Sequence, residues 1–125
     1  MTRTLIALTV ALIPFIADAG TLHPRRQTVA PDVIHVHDGD TFYVGADAFR
    51  LRGIDTPELG QPGADAARRR FIALLRSGPV TIVRRVEDVY GRIVVDVYVG
   101  GRNVASILRA EGYAKPRPPA ARDAR

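Results

Sequence analysis

Short β-branched runs that end at turns recur along this chain and limit it to a fold built from short strands. Between the third and fourth runs, apolar residues from Ala67 to Leu75 recur at helical spacing, and Gly78 ends the pattern. A second, short helix is predicted after the last run, with Asn103 as its N-cap and Gly112 at its end. The predicted strands are 33–36, 42–44, 48–51, 80–86 and 93–99, and the predicted helices are 64–76 and 104–110.

This order of elements is the layout of a five-stranded OB-fold barrel. The predicted fold is therefore mainly β (α+β), with one helix between strands three and four and a short helix after strand five. A tight loop at 45–47 also predicts a register for the hairpin that it closes. In that register Phe42 lies opposite Arg50, and Asp40 lies opposite Arg52, unless a bulge shifts the pairing.

Residues 1–19 have the pattern of a secretory signal peptide. Arg3 supplies a positive region, residues 5–16 form an apolar stretch, and Ala17-Asp18-Ala19 matches the small-x-small cleavage pattern. An uncleaved anchor is the alternative, but the apolar stretch is well short of the roughly 20 residues that cross a bilayer. We therefore expect cleavage after Ala19, export to a periplasm or the medium, and no membrane anchor afterwards.

The remaining chain divides into three parts. Residues 20–31 have no periodicity and are predicted to form a flexible arm. Residues 32–115 hold all the predicted strands and helices and form one domain, as expected for a chain of 125 residues. Residues 116–125 are rich in proline and arginine and are predicted to be a tail that does not pack.

Charge and cysteine content restrict the partners and the chemistry. The chain has 18 Lys and Arg against 13 Asp and Glu, a net charge of +5, and Lys115 is its only lysine. Guanidinium groups bind phosphate and carboxylate well, so the expected partner is a polyanion: nucleic acid, a membrane surface or an acidic glycan. The absence of cysteine excludes disulfides, thiol catalysis and zinc–thiolate sites, so any metal must bind oxygen or histidine.

Acidic residues lie around two predicted turns. Asp40 belongs to one turn, and Asp55 and Glu58 belong to the other. Each motif alone has a simpler interpretation, since Asp-Gly-Asp is common in hairpin turns and Asp-Thr-Pro-Glu is common at helix starts. If Asp40 and Asp55 are neighbours, however, their carboxylates repel each other unless a cation neutralises them. Carboxylates with a carbonyl and waters suit a hard cation such as calcium.

Two arginines complete a possible catalytic set. Arg50 lies in a predicted strand between the two turns, and Arg92 follows Tyr90-Gly91. Together they could hold a phosphate from two sides, while Glu58 orients or deprotonates a water. A metal, two positive groups and a general base suffice for phosphodiester hydrolysis.

These motifs resemble those of the staphylococcal nuclease (thermonuclease-like) family of OB-fold nucleases. The resemblance covers about Val33 to Lys115, and three motifs in the same order carry it. They are Asp38-Gly39-Asp40-Thr41, the segment 49–58 from Phe49 to Glu58, and Tyr90-Gly91-Arg92.

The resemblance implies a calcium-dependent nuclease that cuts DNA and RNA, single strands above all, with little sequence specificity and to 3′-phosphate products. A monomer without a protein partner is expected. Asp38 is interpreted as a turn residue or as a residue that supports the metal ligands without binding the metal. The roles implied by the resemblance are calcium ligation by Asp40, Asp55 and the Thr56 carbonyl, general-base catalysis by Glu58, phosphate binding and charge stabilisation by Arg50 and Arg92, and a weaker substrate contact from Tyr90.

The chain departs from the family pattern in two places. Val89 stands where many relatives have a basic residue, and the C-terminal helix is missing or reduced to 120–125. The alternative function is a non-catalytic module of the same fold that binds nucleic acid. Such modules usually lack some of the acidic and arginine positions, all of which are present here. An oligosaccharide-binding OB-fold would leave those residues unexplained.

Overall fold

A computed structural model describes residues 25–117, which form seven strands, two α-helices and a 3₁₀ turn at Pro31–Val33. The strands are β1 (Arg26–Val29), β2 (Ile34–Val36), β3 (Thr41–Val44), β4 (Asp47–Leu51), β5 (Val80–Glu87), β6 (Ile93–Val99) and β7 (Arg102–Asn103). The helices are α1 (Ala64–Leu75) and α2 (Val104–Ala110). Within these residues no helix is both long and apolar enough to cross a membrane. The predicted signal peptide and residues 118–125 of the predicted tail lie outside the described range.

The seven strands form one sheet in the order β1-β5-β6-β4-β3-β2, with β7 attached to β6. Strands β4 and β6 run parallel, and the other neighbours are antiparallel. The two ends of this order, β1 and β2, are joined by only residues 30–33. Such a short connection brings the two ends of the sheet close together, so the sheet is strongly curled.

Aromatic packing inside the curled sheet fixes the elements that carry the acidic turns. Phe42 on β3, Phe49 on β4 and Phe71 on α1 are fully buried. The Phe42 ring centroid is 5.1 Å from that of Phe49 and 5.7 Å from that of Phe71, and aromatic pairs at these distances are favourable. The loop between β4 and α1 is therefore held by the core at both ends.

The structure corrects the predicted arm and the predicted number of strands. Residues 26–29, expected in a flexible arm, form β1 and pair with 80–83 of β5. Their side chains carry little periodic signal because backbone hydrogen bonds to β5 hold this strand at the sheet's edge. With β1 and the two-residue β7, the described residues hold seven strands where five were expected.

The predicted hairpin register was also wrong, by one residue. Val44 pairs with Asp47, which leaves a two-residue loop with Gly45 at φ 58°. Two-residue loops with such a glycine match the natural twist of the strands better than the three-residue loop that we predicted.

The corrected register changes what faces the two arginines of β4. Phe42 lies opposite Phe49, and Arg50 lies opposite Thr41. The predicted pairing of Asp40 with Arg52 is replaced by a hydrogen bond from the Leu51 N–H to the Asp40 carbonyl, at 2.8 Å.

Candidate active site

The tight turn between β2 and β3 positions Asp40. The Asp38 carboxylate accepts the N–H groups of Asp40 at 3.0 Å and of Thr41 at 2.8 Å, which confirms its interpretation as a turn residue. The buried Asp40 carboxylate in turn accepts the Thr41 hydroxyl at 3.0 Å and the Thr56 N–H at 2.8 Å. These bonds join the first acidic turn to the second.

Gly39 allows the two turns to approach each other. A Cβ atom at this position would lie 2.7 Å from the Thr56 hydroxyl and 2.8 Å from the Ala67 Cβ. Gly39→Ala is therefore expected to lower the free energy of unfolding by about 1–3 kcal/mol, as overpacking does, and to displace Asp40 from Thr56. Thermal or denaturant unfolding measures this loss.

Gly78→Ala is the matched control for that substitution. A Cβ atom on Gly78 would meet nothing within 4 Å, and its φ is not in the left-handed region. This variant should be neutral or slightly stabilised, since alanine restricts the unfolded chain more than glycine does. Equal stabilities for Gly39→Ala and Gly78→Ala would contradict the close approach.

Arg50 brings the two acidic turns together electrostatically. Its Nη1 donates to the carbonyls of Leu51 at 2.6 Å and Ile54 at 2.7 Å. Its Nη2 lies 3.3 Å from Asp40 Oδ2 and 3.4 Å from Asp55 Oδ1. Two carboxylates, one directly before β3 and one in the loop after β4, therefore converge on one positive charge.

The Asp40 carboxylate is only partly compensated. Burial raises the pKa of Asp40 above its ordinary value, although the Thr56 N–H and the Arg50 guanidinium act in the opposite direction. A raised pKa means that the protein does not fully replace the lost solvation of the charged form. Additional positive charge beside Asp40 would stabilise its ionised state.

Lys115 lies close to the second acidic turn, and the sequence did not indicate this. Its Nζ is 3.3 Å from Asp55 Oδ2 and 3.9 Å from Glu58 Oε1. Its backbone N–H donates to the Asp55 carbonyl at 2.7 Å. The end of the predicted domain is thus attached to the site. A contact between residues so far apart in the chain leaves no local sequence signal.

Arg92 and Tyr90 form a separate group held by Asp88. The Asp88 carboxylate accepts the N–H groups of Tyr90 and Arg92, each at 2.9 Å, and the Arg92 Nε at 2.8 Å. The guanidinium of Arg92 lies 5.3 Å from the centroid of the Tyr90 ring. Burial acts to raise the pKa of Asp88, but the bonds from Arg92 and Tyr90 hold it below its ordinary value. The Asp-x-x-Gly-Arg spacing at 88–92 is typical of such a turn and could have indicated Asp88.

Strand register relates this second group to Arg50. Arg92 directly precedes β6, and Val94 two residues later pairs with Arg50 across the parallel strands. Alternation along β6 therefore puts Arg92 on the same face of the sheet as Arg50. Among the described residues, no hydrogen bond or ion pair joins Arg92 or Tyr90 to Asp40 or Asp55.

Asp40, Asp55 and the Thr56 carbonyl are hard oxygen donors, the class that calcium prefers. The two carboxylates converge on a cation, the Arg50 guanidinium, and Asp40 is under-compensated. The chemistry of these donors, and the convergence of the two carboxylates, therefore fit a calcium ion. Residues 25–117 contain no group of three or more His, Asp or Glu side chains suited to a metal. Carbonyl and water oxygens would have to complete the coordination.

The comparisons with known proteins give the family. Residues 48–123, more than half of the chain, match the family model for staphylococcal nuclease homologues. This chain belongs to the staphylococcal nuclease homologue family. The resemblance inferred from the motifs is thereby confirmed.

Curated relatives are named as nucleases. Endonuclease YncB of Bacillus subtilis (strain 168) is 35% identical over 115 residues, which cover 78% of this chain and 53% of that protein. The SPbeta prophage-derived endonuclease YokF of the same organism is 37% identical over 94 residues, 62% of this chain and 31% of that protein. A staphylococcal-like nuclease of Arabidopsis thaliana is 32% identical over 66 residues, 53% of this chain and 20% of that protein. The chain thus spans from a fifth to about half of the length of these relatives.

The range that matches the staphylococcal nuclease homologue model contains most of the candidate site. Arg50, Asp55 and Arg92 lie inside it, whereas Asp40 precedes it. Asp40 is attached to that range by its contacts with Arg50 and with the Thr56 N–H. The structure therefore extends the candidate site beyond the matched residues.

Proposed function

We propose that this protein is an exported, calcium-dependent nuclease that hydrolyses phosphodiester bonds of DNA and RNA, preferably in single strands. It acts with little sequence specificity and leaves 3′-phosphate ends. The convergence of Asp40 and Asp55 on Arg50, at 3.3 and 3.4 Å, carries the proposal, in a chain of the staphylococcal nuclease homologue family. The relatives named endonuclease support it.

The proposed fold is an OB-fold barrel. In this interpretation β1 and β2 are two halves of one bent strand, because only residues 30–33 separate them and they lie at the two ends of the sheet. The bent strand pairs with β5 through its first half and with β3 through its second half. That arrangement supports closure of the barrel.

In the proposed reaction the two arginines bind the substrate phosphate. Arg92 uses Nε to bind Asp88, and its Nη atoms make no hydrogen bond within residues 25–117, so they can donate to phosphate oxygens. Arg50 approaches from the same face of the sheet. Two guanidinium groups fixed in place before the reaction stabilise the charge that develops on phosphorus oxygens. The exposed Tyr90 lies beside Arg92 and is the weaker substrate contact.

Glu58 is the proposed general base. Its side chain is 68% exposed, and its one ion pair within residues 25–117 is with Lys115 Nζ at 3.9 Å. It can therefore accept a proton from a water whose oxygen attacks phosphorus. The bond from phosphorus to the 5′-oxygen then breaks, the 5′-oxygen takes up a proton from solvent water and leaves as a hydroxyl, and the phosphate stays on the 3′-oxygen. Calcium bound by Asp40, Asp55 and the Thr56 carbonyl would supply positive charge next to the phosphate.

Export is part of the proposal and is supported by the charged, apolar and cleavage-site pattern of residues 1–19. The absence of cysteine is compatible with an extracellular or periplasmic location.

Removal of the metal tests the proposed reaction. The purified protein is incubated with single-stranded DNA or RNA in calcium, in magnesium or in a chelator, and the ends of the products are analysed. We expect cutting in calcium, no cutting in chelator and products with 3′-phosphate ends. Binding without cutting, by a sample shown to be folded, would contradict the proposed nuclease activity and favour a non-catalytic module that binds nucleic acid.

A further inference from the structure

A second group of charged residues lies on β5, on β6 and directly after β4. Arg52 donates Nε and Nη2 to the two carboxylate oxygens of Asp96, each at 2.9 Å, and Arg85 donates Nε to Asp96 Oδ2 at 2.7 Å. The side chain of Asp96 is 3% exposed, while those of Arg52 and Arg85 are 56% and 34% exposed. We call these three residues the arginine triad. One buried carboxylate holds two partly exposed guanidinium groups.

Strand register places the arginine triad beside the candidate active site. Arg52 directly follows β4, and its N–H donates to the Val95 carbonyl of β6 at 2.9 Å, so the alternation of the strand continues to it. Arg50 and Arg52 are two residues apart and therefore project from the same face, about 7 Å apart along the chain. Asp96 follows two residues after Val94, the partner of Arg50, and therefore lies on that face as well. Arg85 is the extra residue of a β-bulge in β5, and bulges commonly redirect a side chain.

The arginine triad has donors left over. Within residues 25–117, Arg85 uses only Nε and Arg52 uses only Nε and Nη2, so both of the Arg85 Nη atoms and the Arg52 Nη1 have no protein partner. Bonds from the two arginines hold the pKa of Asp96 below its ordinary value, although burial acts to raise it. At neutral pH the triad therefore combines two positive charges with one negative charge, a net +1.

A bound anion explains this arrangement better than a purely structural ion pair does. One arginine suffices to neutralise one buried carboxylate, and Arg52 already binds both of its oxygens. Arg85 adds an uncompensated positive charge to Asp96, on the face of the sheet that also carries Arg50, and repulsion between like charges there costs stability. A bound anion on this face would offset that repulsion. The planar fork of an arginine suits phosphate in particular.

We propose that the arginine triad binds a second phosphate of a single-stranded polynucleotide, next to the phosphate at Arg50. The spacing between Arg50 and Arg52 along the chain is comparable with the step between neighbouring phosphates in an extended strand. This inference rests on the proposed function and specifies its substrate further. Strands with several phosphates bind better than a dinucleotide, which has only one internucleotide phosphate.

Binding to two probes tests the proposal. The probes are a fluorescent 12-nucleotide single-stranded DNA and a dinucleotide with one phosphate, measured in chelator so that neither is cut. Arg85→Gln is expected to weaken binding of the 12-mer about tenfold at low salt, as loss of a charged hydrogen bond does. It should reduce the slope of log K against log salt by about 0.7, the value for one phosphate contact in a single strand. Dinucleotide binding should not change.

Arg70→Gln is the matched control. Arg70 also binds a carboxylate through Nε and Nη2, at 2.6 and 2.7 Å from Glu111, and lies on α1. It loses the same charge away from the proposed phosphate site. Arg85→Lys retains the charge at the triad and is expected to keep most of the salt slope. Thermal unfolding of every variant shows whether a weak binder is folded.

Each result has a defined meaning. Equal effects of folded Arg85→Gln and Arg70→Gln on the 12-mer would overturn the second phosphate site, while cutting by the wild-type protein in calcium would leave the proposed nuclease intact. A wild-type protein that binds the 12-mer no better than the dinucleotide would also overturn the second site. A folded wild-type protein that neither binds the 12-mer nor cuts in calcium would overturn both.

Discussion

Glu58→Gln is expected to slow cutting by about 10²- to 10⁴-fold, the usual contribution of general acid–base catalysis, with little change in strand binding. Glutamine has nearly the same shape as glutamate but does not accept the proton of the attacking water. The side chain at this position is largely exposed, and within residues 25–117 its one ion pair is with Lys115. Its substitution should therefore leave the fold intact. Single-turnover cutting in calcium and equilibrium binding in chelator separate the two effects.

Glu87→Gln is the control for the change in charge. Glu87 ends β5, is exposed and has no ion pair among the described residues, and the proposed reaction does not use it. Its variant should cut at the wild-type rate. Wild-type turnover by Glu58→Gln would show that another group accepts the proton. A weaker binding constant with an unchanged rate would instead mean that Glu58 contributes to binding alone.

Local signals in the sequence predicted much of this protein. The Asn103 cap is an example: its side chain accepts the Ser106 N–H at 3.0 Å, a contact set by residues within one helical turn. The turn at Asp38 and the helix from Ala64 follow in the same way from neighbouring residues. For the candidate site, the sequence predicted the residues within each motif, because these are close together in the chain. It did not predict contacts with residues outside the motifs.

Features that depend on distant partners were missed. β1 exists because β5, more than 50 residues later, offers it a backbone edge. The hairpin register depended on a single residue in the loop at 45–47, and a shift of one residue changes every opposing pair. Asp96 looked like an ordinary strand position until the fold placed Arg52 and Arg85 against it. Lys115 contacts Asp55 in the same way, although the two residues are far apart in the chain.

Arg92→Lys is expected to reduce turnover about 10²- to 10³-fold, the loss typical of one preorganised donor to the transition state. Lysine keeps the positive charge but lacks the fork, which binds Asp88 through Nε and leaves the Nη atoms for the proposed contact with the substrate phosphate. The fold should lose little stability, because this side chain lies in the turn between β5 and β6 and is partly exposed. Turnover in calcium and thermal unfolding are measured on the same samples.

Arg50→Lys is the comparison variant for Arg92→Lys, because it should lose stability as well as turnover. Arg50 is 18% exposed, donates to the carbonyls of Leu51 and Ile54, and lies between two carboxylates. Its lysine variant should lose both turnover and about 2–3 kcal/mol of unfolding free energy, because charged hydrogen bonds to the loop after β4 disappear. Arg92→Lys could instead lose as much stability as Arg50→Lys. That result would mean that Arg92 stabilises the turn at Asp88, and slower cutting by this variant would then not show that Arg92 binds the phosphate. Slow cutting by a stable Arg92→Lys protein assigns that role to the guanidinium itself.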